Sequence, residues 1–117
     1  PTDLRQDHVI AAYLSPKSGR PMPLRFLKRG KRCEVVGTRI VGVNDSNTHL
    51  AAGLAGLGIM QTFRLLAEPH IKSGRLIPIL QDWQPPPYPF HVVYPPNRYV
   101  SSRLRVFIDW VAARFSS

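Results

Sequence analysis

Apolar side chains occur in short clusters along the chain, and the spacing within each cluster predicts its secondary structure. Residues 9–14 form a continuous apolar run, which is typical of a strand buried on both faces of a mostly parallel sheet. Residues 24–37 alternate between apolar and polar positions around Gly30, which predicts a β-hairpin. The β-branched residues over 38–44 predict a further strand at the centre of the sheet.

The stretch VNDSNTHLAAGLAGLGI changes from polar to small apolar residues and predicts a helix over 46–57. Ala52 and Gly56 are small enough to let this helix lie close to the sheet, and Gly58 is expected to end it. The segment GIMQTF, residues 58–63, predicts a short strand. The core-facing positions of the helix are expected to be Leu50, Leu54 and Leu57.

Two further segments complete the first 80 residues. Residues 64–74 predict a short helix that Pro69 kinks or divides into two turns, with Gly74 as its stop. Residues 75–80 are strand-like, and Pro78 favours an edge position for that strand.

The last third of the chain begins with a proline-dense segment. Residues 83–88 predict a stiff extended connector, with a polyproline ligand for an aromatic groove as the alternative. Residues 89–95 predict a strand. Residues 101–115 predict an amphipathic helix, because apolar residues recur at positions i, i+3, i+4, i+7 and i+11 from Leu104.

This order of strands and helices predicts an α/β fold in which the hairpin is an antiparallel addition to the sheet. The 117 residues are enough for one modest core, and 44% of them are hydrophobic, as expected of a folded protein. No apolar run is long enough to span a membrane. The single cysteine, Cys33, excludes an intramolecular disulfide, so we expect a cytoplasmic location.

The net charge of +9 favours a polyanionic partner, and the charge is unevenly distributed. Half of the sixteen Lys and Arg residues fall within 17–39, where Glu34 is the only acid. Such a patch binds nucleic-acid phosphates in one interpretation. In the other, its charges keep an exposed hairpin edge from pairing with other chains. The candidates for the patch are Arg25, Lys28, Arg29, Lys31 and Arg32.

Sequence signatures of enzymes and metal sites are missing. The four histidines are far apart, and none has a second ligand at metal-binding spacing. No serine lies in a GxSxG elbow. The glycines at positions 53, 56 and 58 have the order G-x-x-G-x-G, which reverses the dinucleotide fingerprint. We therefore expect a non-enzymatic protein without a metal ion or cofactor.

The start of the predicted helix over 46–57 is the remaining place for ligand chemistry. Four backbone N–H groups lack helical partners at a helix start, and they carry a partial positive charge. Either Asn44, Asp45 or Ser46 caps these groups, or the groups face a cleft and hold a small anion or carboxylate. The carboxyl ends of strands in open α/β sheets are the usual positions of ligands.

Four segments, in this order, resemble the C-terminal effector-binding domain of LysR-type transcriptional regulators. They are DLRQDHVIAAYLSPKSGRPMPLRF, VNDSNTHLAAGLAGLGI, LLAEPHIKSGRLIPIL and PFHVVYPPNRYVSSRLRVFIDWV. The resemblance covers nearly the whole chain. It implies a fold of the type II periplasmic-binding-protein kind, which is Rossmann-like and has two lobes.

The resemblance further implies a division of the chain between these lobes. Residues 1–82 would form lobe II, which includes the added hairpin, and residues 83–117 would contain the crossover and the closing strand and helix of an incomplete lobe I. The winged helix-turn-helix and the first half of lobe I are expected to be absent, so that this chain alone reads no DNA. The helix over 101–115 is then expected to pack on its own lobe or on a partner chain.

The function implied by the resemblance is effector sensing. A small anionic molecule would bind between the lobes and change the packing of a DNA-bound homo-oligomer, a dimer or tetramer. The family commonly has ALLP where this chain has MQTF, so two polar residues there reflect either a polar effector or a different loop. The alternative function is a small basic nucleic-acid-binding module that uses residues 17–39. The effector-binding candidates are Asn44, Asp45, Ser46, His49, Gln61 and Thr62.

Overall fold

A computed structural model of the chain describes residues 1–96 and 99–116. The chain divides into two compact units, Pro1–Pro86 and Pro87–Ser117. Asn97, Arg98 and Ser117, which fall within the predicted 83–117 segment, lie outside the described residues. The elements are a 3₁₀ turn (Thr2–Arg5), strands β1 (Val9–Tyr13), β2 (Leu24–Lys28), β3 (Lys31–Val35) and β4 (Thr38–Val43), and helices α1 (Ser46–Leu54), α2 (Arg64–Lys72) and α3 (Ser102–Phe115).

The first unit is built on β1 and β4, which pair in parallel along their length. On the other side of β1, Ile59 forms one isolated parallel bridge with Ile10. The Ala11 N–H donates to the Ile59 carbonyl at 3.0 Å, and the Ile59 N–H donates to the Val9 carbonyl at 2.8 Å. β1 is therefore the central strand and β4 lies at an edge of the described sheet, so the prediction of a central strand over 38–44 is wrong in its placement.

Three predicted strands are not formed among the described residues. The segment 58–63 is reduced to the Ile59 bridge, and neither 75–80 nor 89–95 is a strand. A strand forms only where a neighbouring segment takes its backbone hydrogen bonds. No strand pairs with 75–80 or 89–95 in the described part of the chain. The expected closing strand is thus missing there, whereas the closing helix is present as α3.

β2 and β3 form the predicted hairpin in a register that places Lys28 opposite Lys31. The two-residue turn between them consists of Arg29 and Gly30, which have φ values of 47° and 78°. Positive φ at both central positions is the signature of a type I′ turn, whose twist matches that of the strands. Glycine adopts this conformation freely, but arginine does so at a cost.

We expect Arg29→Asn to raise the free energy of unfolding by up to about 1 kcal/mol, because asparagine adopts positive φ at lower cost than arginine. Urea denaturation of the two proteins measures this difference. Arg29→Ala removes the same charge but keeps the costly backbone, so it serves as the control. Equal midpoints for the Asn and Ala variants would contradict the turn type.

The core of the first unit lies between the hairpin, β1 and the 3₁₀ turn. Four partly buried side chains pack against this cluster, and one of them, Trp83, comes from the predicted connector. The connector therefore begins on the hairpin and not in solvent. The buried cluster consists of Leu4, Ile10, Leu24, Phe26 and Val35.

α1 is shorter than predicted and ends at Leu54, not at residue 57. Gly56 adopts a φ of 75° directly after the helix, and the Leu57 N–H donates back to the Ala52 carbonyl at 3.0 Å. This is the capping pattern that glycine favours at a helix end. Gly58, the predicted stop, follows the cap and lies against β1 instead.

α1 packs on β1 and β4. Its buried residues are His49 and Ala52. Leu50 and Leu54 are only half-buried, and Leu57 is 40% exposed, so the predicted leucine core of this helix is wrong. The buried imidazole of His49 and the small side chain of Ala52 fill the contact with the sheet instead.

α2 runs as a single helix through Pro69. Of the two predicted outcomes, a kink or a division into two turns, the division is therefore wrong. The predicted stop at Gly74 is confirmed. The Gly74 N–H donates to the Ile71 carbonyl at 3.0 Å, and the Arg75 N–H donates to the His70 carbonyl at 2.8 Å. These two bonds form a Schellman motif, with Gly74 at a φ of 75°.

The second unit contains α3, which confirms the predicted helix over 101–115. The Ser101 hydroxyl caps it by accepting from the Leu104 N–H at 3.2 Å. None of its residues is buried. Packing of this helix on its own lobe or on a partner chain stays a prediction. No helix of the described residues is long and apolar enough to cross a membrane. The apolar residues exposed on α3 include Val106, Phe107, Trp110 and Phe115.

Candidate functional site

β1, β4 and the bridge at Ile59 run parallel, so their carboxyl ends lie at one edge of the sheet. Three of the predicted effector-binding residues directly follow β4, and two follow Ile59 on the other side of β1. Two strand spacings separate the two groups, which is about 10 Å. The structure thus brings five of the six candidates to the same edge. They are Asn44, Asp45 and Ser46 in one group and Gln61 and Thr62 in the other.

Asp45 caps α1. Its carboxylate accepts from the Thr48 N–H at 2.8 Å and from the Thr48 hydroxyl at 2.9 Å. The backbone hydrogen bond from Thr48, and after it the hydroxyl bond, hold the pKa of the Asp45 carboxyl below its usual value. The helix start is therefore occupied in part by the protein's own carboxylate.

The stabilisation from the Asp45 cap should depend on pH. The pKa of Asp45 is lower in the folded than in the unfolded state, so the contribution is complete above the unfolded-state pKa and is lost as pH falls through the folded-state pKa. We expect the stability advantage over Asp45→Asn to shrink when pH falls from about 7 to about 3. Thermal unfolding of both proteins across this range measures the advantage. A difference that does not change with pH would contradict an ionised cap.

His49 is built into the packing of α1 on β1. Its side chain is only 3% exposed, and its Nε2–H donates to the Ala11 carbonyl at 2.8 Å. The Tyr13 ring meets the imidazole edge-on at 5.6 Å, and the Tyr13 hydroxyl donates to the Asn44 carbonyl at 3.2 Å. His49 therefore stabilises the packing beneath the carboxyl edge of the sheet. Because it is buried, it cannot contact a ligand and is not part of the proposed site.

The carboxamide of Gln61 pairs with the outer edge of β2. The Arg25 N–H donates to Oε1 at 3.0 Å, and Nε2 donates to the Arg25 carbonyl at 2.8 Å. Farther along the same edge, Leu27 and Gln84 exchange two backbone hydrogen bonds of 2.6 and 2.8 Å. The Gln61 side chain and the backbone of Gln84 thus form the hydrogen bonds that a neighbouring strand would otherwise form with β2. Sequence reasoning missed this role, because nothing in the sequence places Gln61 beside Arg25.

We expect Gln61→Ala to lower the free energy of unfolding by about 1–2 kcal/mol, because both backbone groups of Arg25 lose their partner. Gln61→Glu should also lose stability at neutral pH, since a carboxylate accepts from the Arg25 N–H but donates nothing to its carbonyl. Chemical denaturation compares the three proteins. If all three were equally stable, the carboxamide would contribute nothing to the β2 edge.

Three candidates remain free to contact a ligand. Their side chains form no hydrogen bond with the part of the chain that the structure describes. Asn44 is exposed, while Ser46 and Thr62 are half-buried. The edge therefore offers an amide and two hydroxyls, which are neutral donors and acceptors.

The predicted basic patch separates into paired and unpaired cations. Arg25 pairs with Glu34 across the hairpin at 3.0 Å. Lys28 pairs with Asp82 and lies over the Trp83 ring, 5.6 Å from its centroid. The hydrogen bond from Lys28 lowers the pKa of the Asp82 carboxyl. The patch residues that form no ion pair with described residues are Arg29, Lys31 and Arg32.

Two other features bear on ligand binding. An open depression of about 240 Å³ lies along β4, but none of the six candidates lines it. Within residues 1–96 and 99–116, no cluster of three or more His, Cys, Asp or Glu side chains is arranged to hold a metal ion. The depression is lined by Ala12, Pro21, Arg39, Ile40, Val41 and Gly42.

Comparison with known proteins gives matches along the whole chain. Residues 2–116 match the family described as LysR substrate binding domain. The chain is 32% identical over 116 residues to the HTH-type transcriptional repressor PA14_22550 of Pseudomonas aeruginosa (strain UCBPP-PA14), covering 99% of this chain and 36% of that protein. It is 41% identical over 70 residues to the HTH-type transcriptional regulator YhjC of Escherichia coli (strain K12), covering 60% of this chain and 23% of that protein.

A third relative is the putative LysR family substrate binding domain-containing protein YagP of Escherichia coli (strain K12). The identity is 29% over 107 residues, which cover 92% of this chain and 72% of that protein. By contrast, the chain spans about a third or less of the two regulators above. The match to the family over 2–116 confirms the resemblance seen in the sequence, and it implies a fold of the periplasmic-binding-protein kind, consistent with the mixed α/β structure. The chain belongs to the LysR substrate binding domain family.

Proposed function

We propose that this chain is the effector-sensing regulatory domain of a LysR-type bacterial transcriptional regulator, and that it has no enzymatic activity of its own. The observation that carries the proposal is the set of free polar groups at the carboxyl edge of β4 and β1, in a chain of this family. A small molecule bound there would bias the arrangement of the two lobes in the whole regulator. The free groups belong to Asn44, Ser46 and Thr62.

The chemistry of the edge indicates how such a molecule would lie. The start of α1 favours negative charge, but the capped carboxylate of Asp45 repels an anion at close range. We therefore place neutral polar groups of the ligand near Asn44 and its anionic group near Thr62, on the other side of β1. A compact polar acid about 10 Å long would reach both groups, since two strand spacings separate them.

The assignment of lobes is also part of the proposal. Residues 1–82 would be lobe II, and 83–117 would supply the crossover and the closing helix of lobe I. A division of the chain near this boundary, between Pro86 and Pro87, supports the plan, although Trp83 and Gln84 still belong to the first unit. In the cytoplasmic full-length regulator, effector binding would alter the packing of a homo-oligomer, while DNA would be bound by a separate winged helix-turn-helix domain.

A thermal-shift screen of this chain with small carboxylates and aromatic acids tests the effector site. A ligand at 100-fold its dissociation constant stabilises a protein by about 2.7 kcal/mol, which raises the melting temperature of a domain of this size by several degrees. Each hit is then titrated against Asn44→Ala and Thr62→Val, which should abolish the shift. Thr2→Val is the matched control, because Thr2 is exposed and precedes the amino end of β1, whereas the site lies at the carboxyl ends of the strands.

The outcomes separate the possibilities. A shift that is lost in Asn44→Ala and Thr62→Val but kept in Thr2→Val supports the site. A shift that survives in all three variants places the ligand elsewhere and contradicts the site. A screen in which no compound shifts the melting temperature contradicts effector binding by this chain.

A further inference from the structure

The tip of the hairpin carries three cationic side chains that do not contribute ion pairs to the described structure. The acids that contact the hairpin are already engaged, Glu34 with Arg25 and Asp82 with Lys28. The remaining cations are exposed and form no ion pair with the residues that the structure describes. They are Arg29, Lys31 and Arg32.

This concentration of charge works against stability. Arg29 occupies a turn position with a φ of 47°, which favours asparagine or glycine. Lys28 and Lys31 lie directly opposite each other, and like charges at such positions repel. Strain and repulsion that persist at an exposed tip are typical of sites selected for binding and not for folding.

Two of the eight cations within 17–39 are held in ion pairs, whereas three adjacent ones at the hairpin tip are not. We propose that the hairpin tip, residues 29–32, binds the phosphate backbone of double-stranded nucleic acid. The tip has no aromatic side chain for base stacking and no apolar side chain for insertion into a lipid surface. A two-stranded ribbon is narrow enough to approach the major groove, where Arg and Lys reach phosphates without reading sequence.

The size of the effect follows from the number of cations. Three phosphate contacts predict a slope of about −2.7 for the logarithm of the binding constant against the logarithm of salt concentration. Affinity should therefore fall about 40-fold between roughly 50 and 200 mM salt. The contact is sequence-independent and does not rest on effector binding.

Fluorescence anisotropy of a labelled random-sequence DNA duplex, titrated with this chain at both salt concentrations, tests the proposal. The tip variant is Arg29→Asn, Lys31→Thr and Arg32→Thr, in which asparagine suits the turn and threonine suits a strand. The matched control is Arg103→Gln, Arg105→Gln and Arg114→Gln, three exposed cations on α3. Each triple variant changes the net charge from +9 to +6, since three positive charges are removed.

We expect the tip variant to lose at least tenfold in affinity at low salt, while the α3 variant loses less than threefold. Equal losses would show that net charge alone attracts DNA and would overturn the proposal, as would no binding of the unmodified chain at low salt. Poly-glutamate is added as a competitor. If the chain bound it as tightly as it binds the duplex, the proposal of a nucleic-acid partner would be overturned in favour of an acidic polypeptide. Circular dichroism of both variants establishes that a loss of binding is not a loss of folding.

Discussion

Gly58→Ala is expected to cost this protein about 3 kcal/mol or more of its free energy of unfolding. A β-carbon at Gly58 would lie 2.7 Å from the Ala11 nitrogen, 2.8 Å from the Val9 oxygen and 2.9 Å from the Ile10 carbonyl carbon. These atoms belong to the backbone of the central strand, so they cannot move without disturbing its pairing. The φ of 149° at Gly58 adds backbone strain for any other residue.

The Gly58→Ala substitution should also disturb the candidate site. Gly58 precedes Ile59, whose two hydrogen bonds to β1 depend on the close approach. Displacing this segment would also draw Gln61 away from the backbone of Arg25. We therefore expect faster amide hydrogen exchange at Ala11 and Arg25 in the variant, in addition to its lower denaturation midpoint.

Gly56→Ala is the matched control for Gly58→Ala. Gly56 also has a positive φ, 75°, but no atom lies within 4 Å of the position that its β-carbon would occupy. Its substitution should cost only the left-handed backbone strain of about 1–2 kcal/mol. Equal losses for the two alanine variants would show that backbone conformation, and not the approach to β1, decides the requirement for glycine.

His49→Ala is expected to lower the free energy of unfolding by about 3 kcal/mol. The substitution leaves a cavity under α1, and it leaves the Ala11 carbonyl without the Nε2–H donor. The Tyr13 ring also loses its edge-on contact with the imidazole. Because Tyr13 holds the Asn44 carbonyl, the variant should loosen the β4 end of the candidate site as well.

Two further variants separate the causes. His49→Gln retains an N–H donor of similar reach and should recover part of the loss. His8→Ala removes an exposed imidazole and should change stability by less than about 0.5 kcal/mol. Thermal or urea denaturation of the series measures these differences. A loss in His49→Ala as small as that in His8→Ala would contradict the structural role of the buried imidazole.

Local patterns in the sequence predicted the elements whose stability is decided locally. The hairpin follows from alternation around Gly30, and α3 follows from its apolar spacing and its Ser101 cap. The start of α1 at Ser46 follows from Asp45, whose side chain caps the helix where the polar run ends. The family, too, is recognisable from the sequence, because its segments occur in order along nearly the whole chain.

Contacts between distant residues decided which strand-like segments became strands and where they lie in the sheet. Residues 75–80 and 89–95 have strand-like sequences but are not strands among the described residues, because a strand needs a neighbour for its backbone hydrogen bonds. β4 has the composition of a central strand yet lies at an edge of the sheet that the described residues form. Composition reports what a segment prefers, and the neighbour that it meets decides what it forms.

The candidate site shows the same division. The sequence by itself determined that polar residues follow a strand and that a helix starts there, which identified Asn44 and Ser46 as candidates. Thr62 was identified because MQTF stands where the family that the chain resembles commonly has ALLP. Only the tertiary structure decided that His49 and Gln61 are committed to Ala11 and Arg25. Each of these contacts joins residues more than 30 positions apart, and hydrogen bonds between such distant residues exist only once the chain has folded.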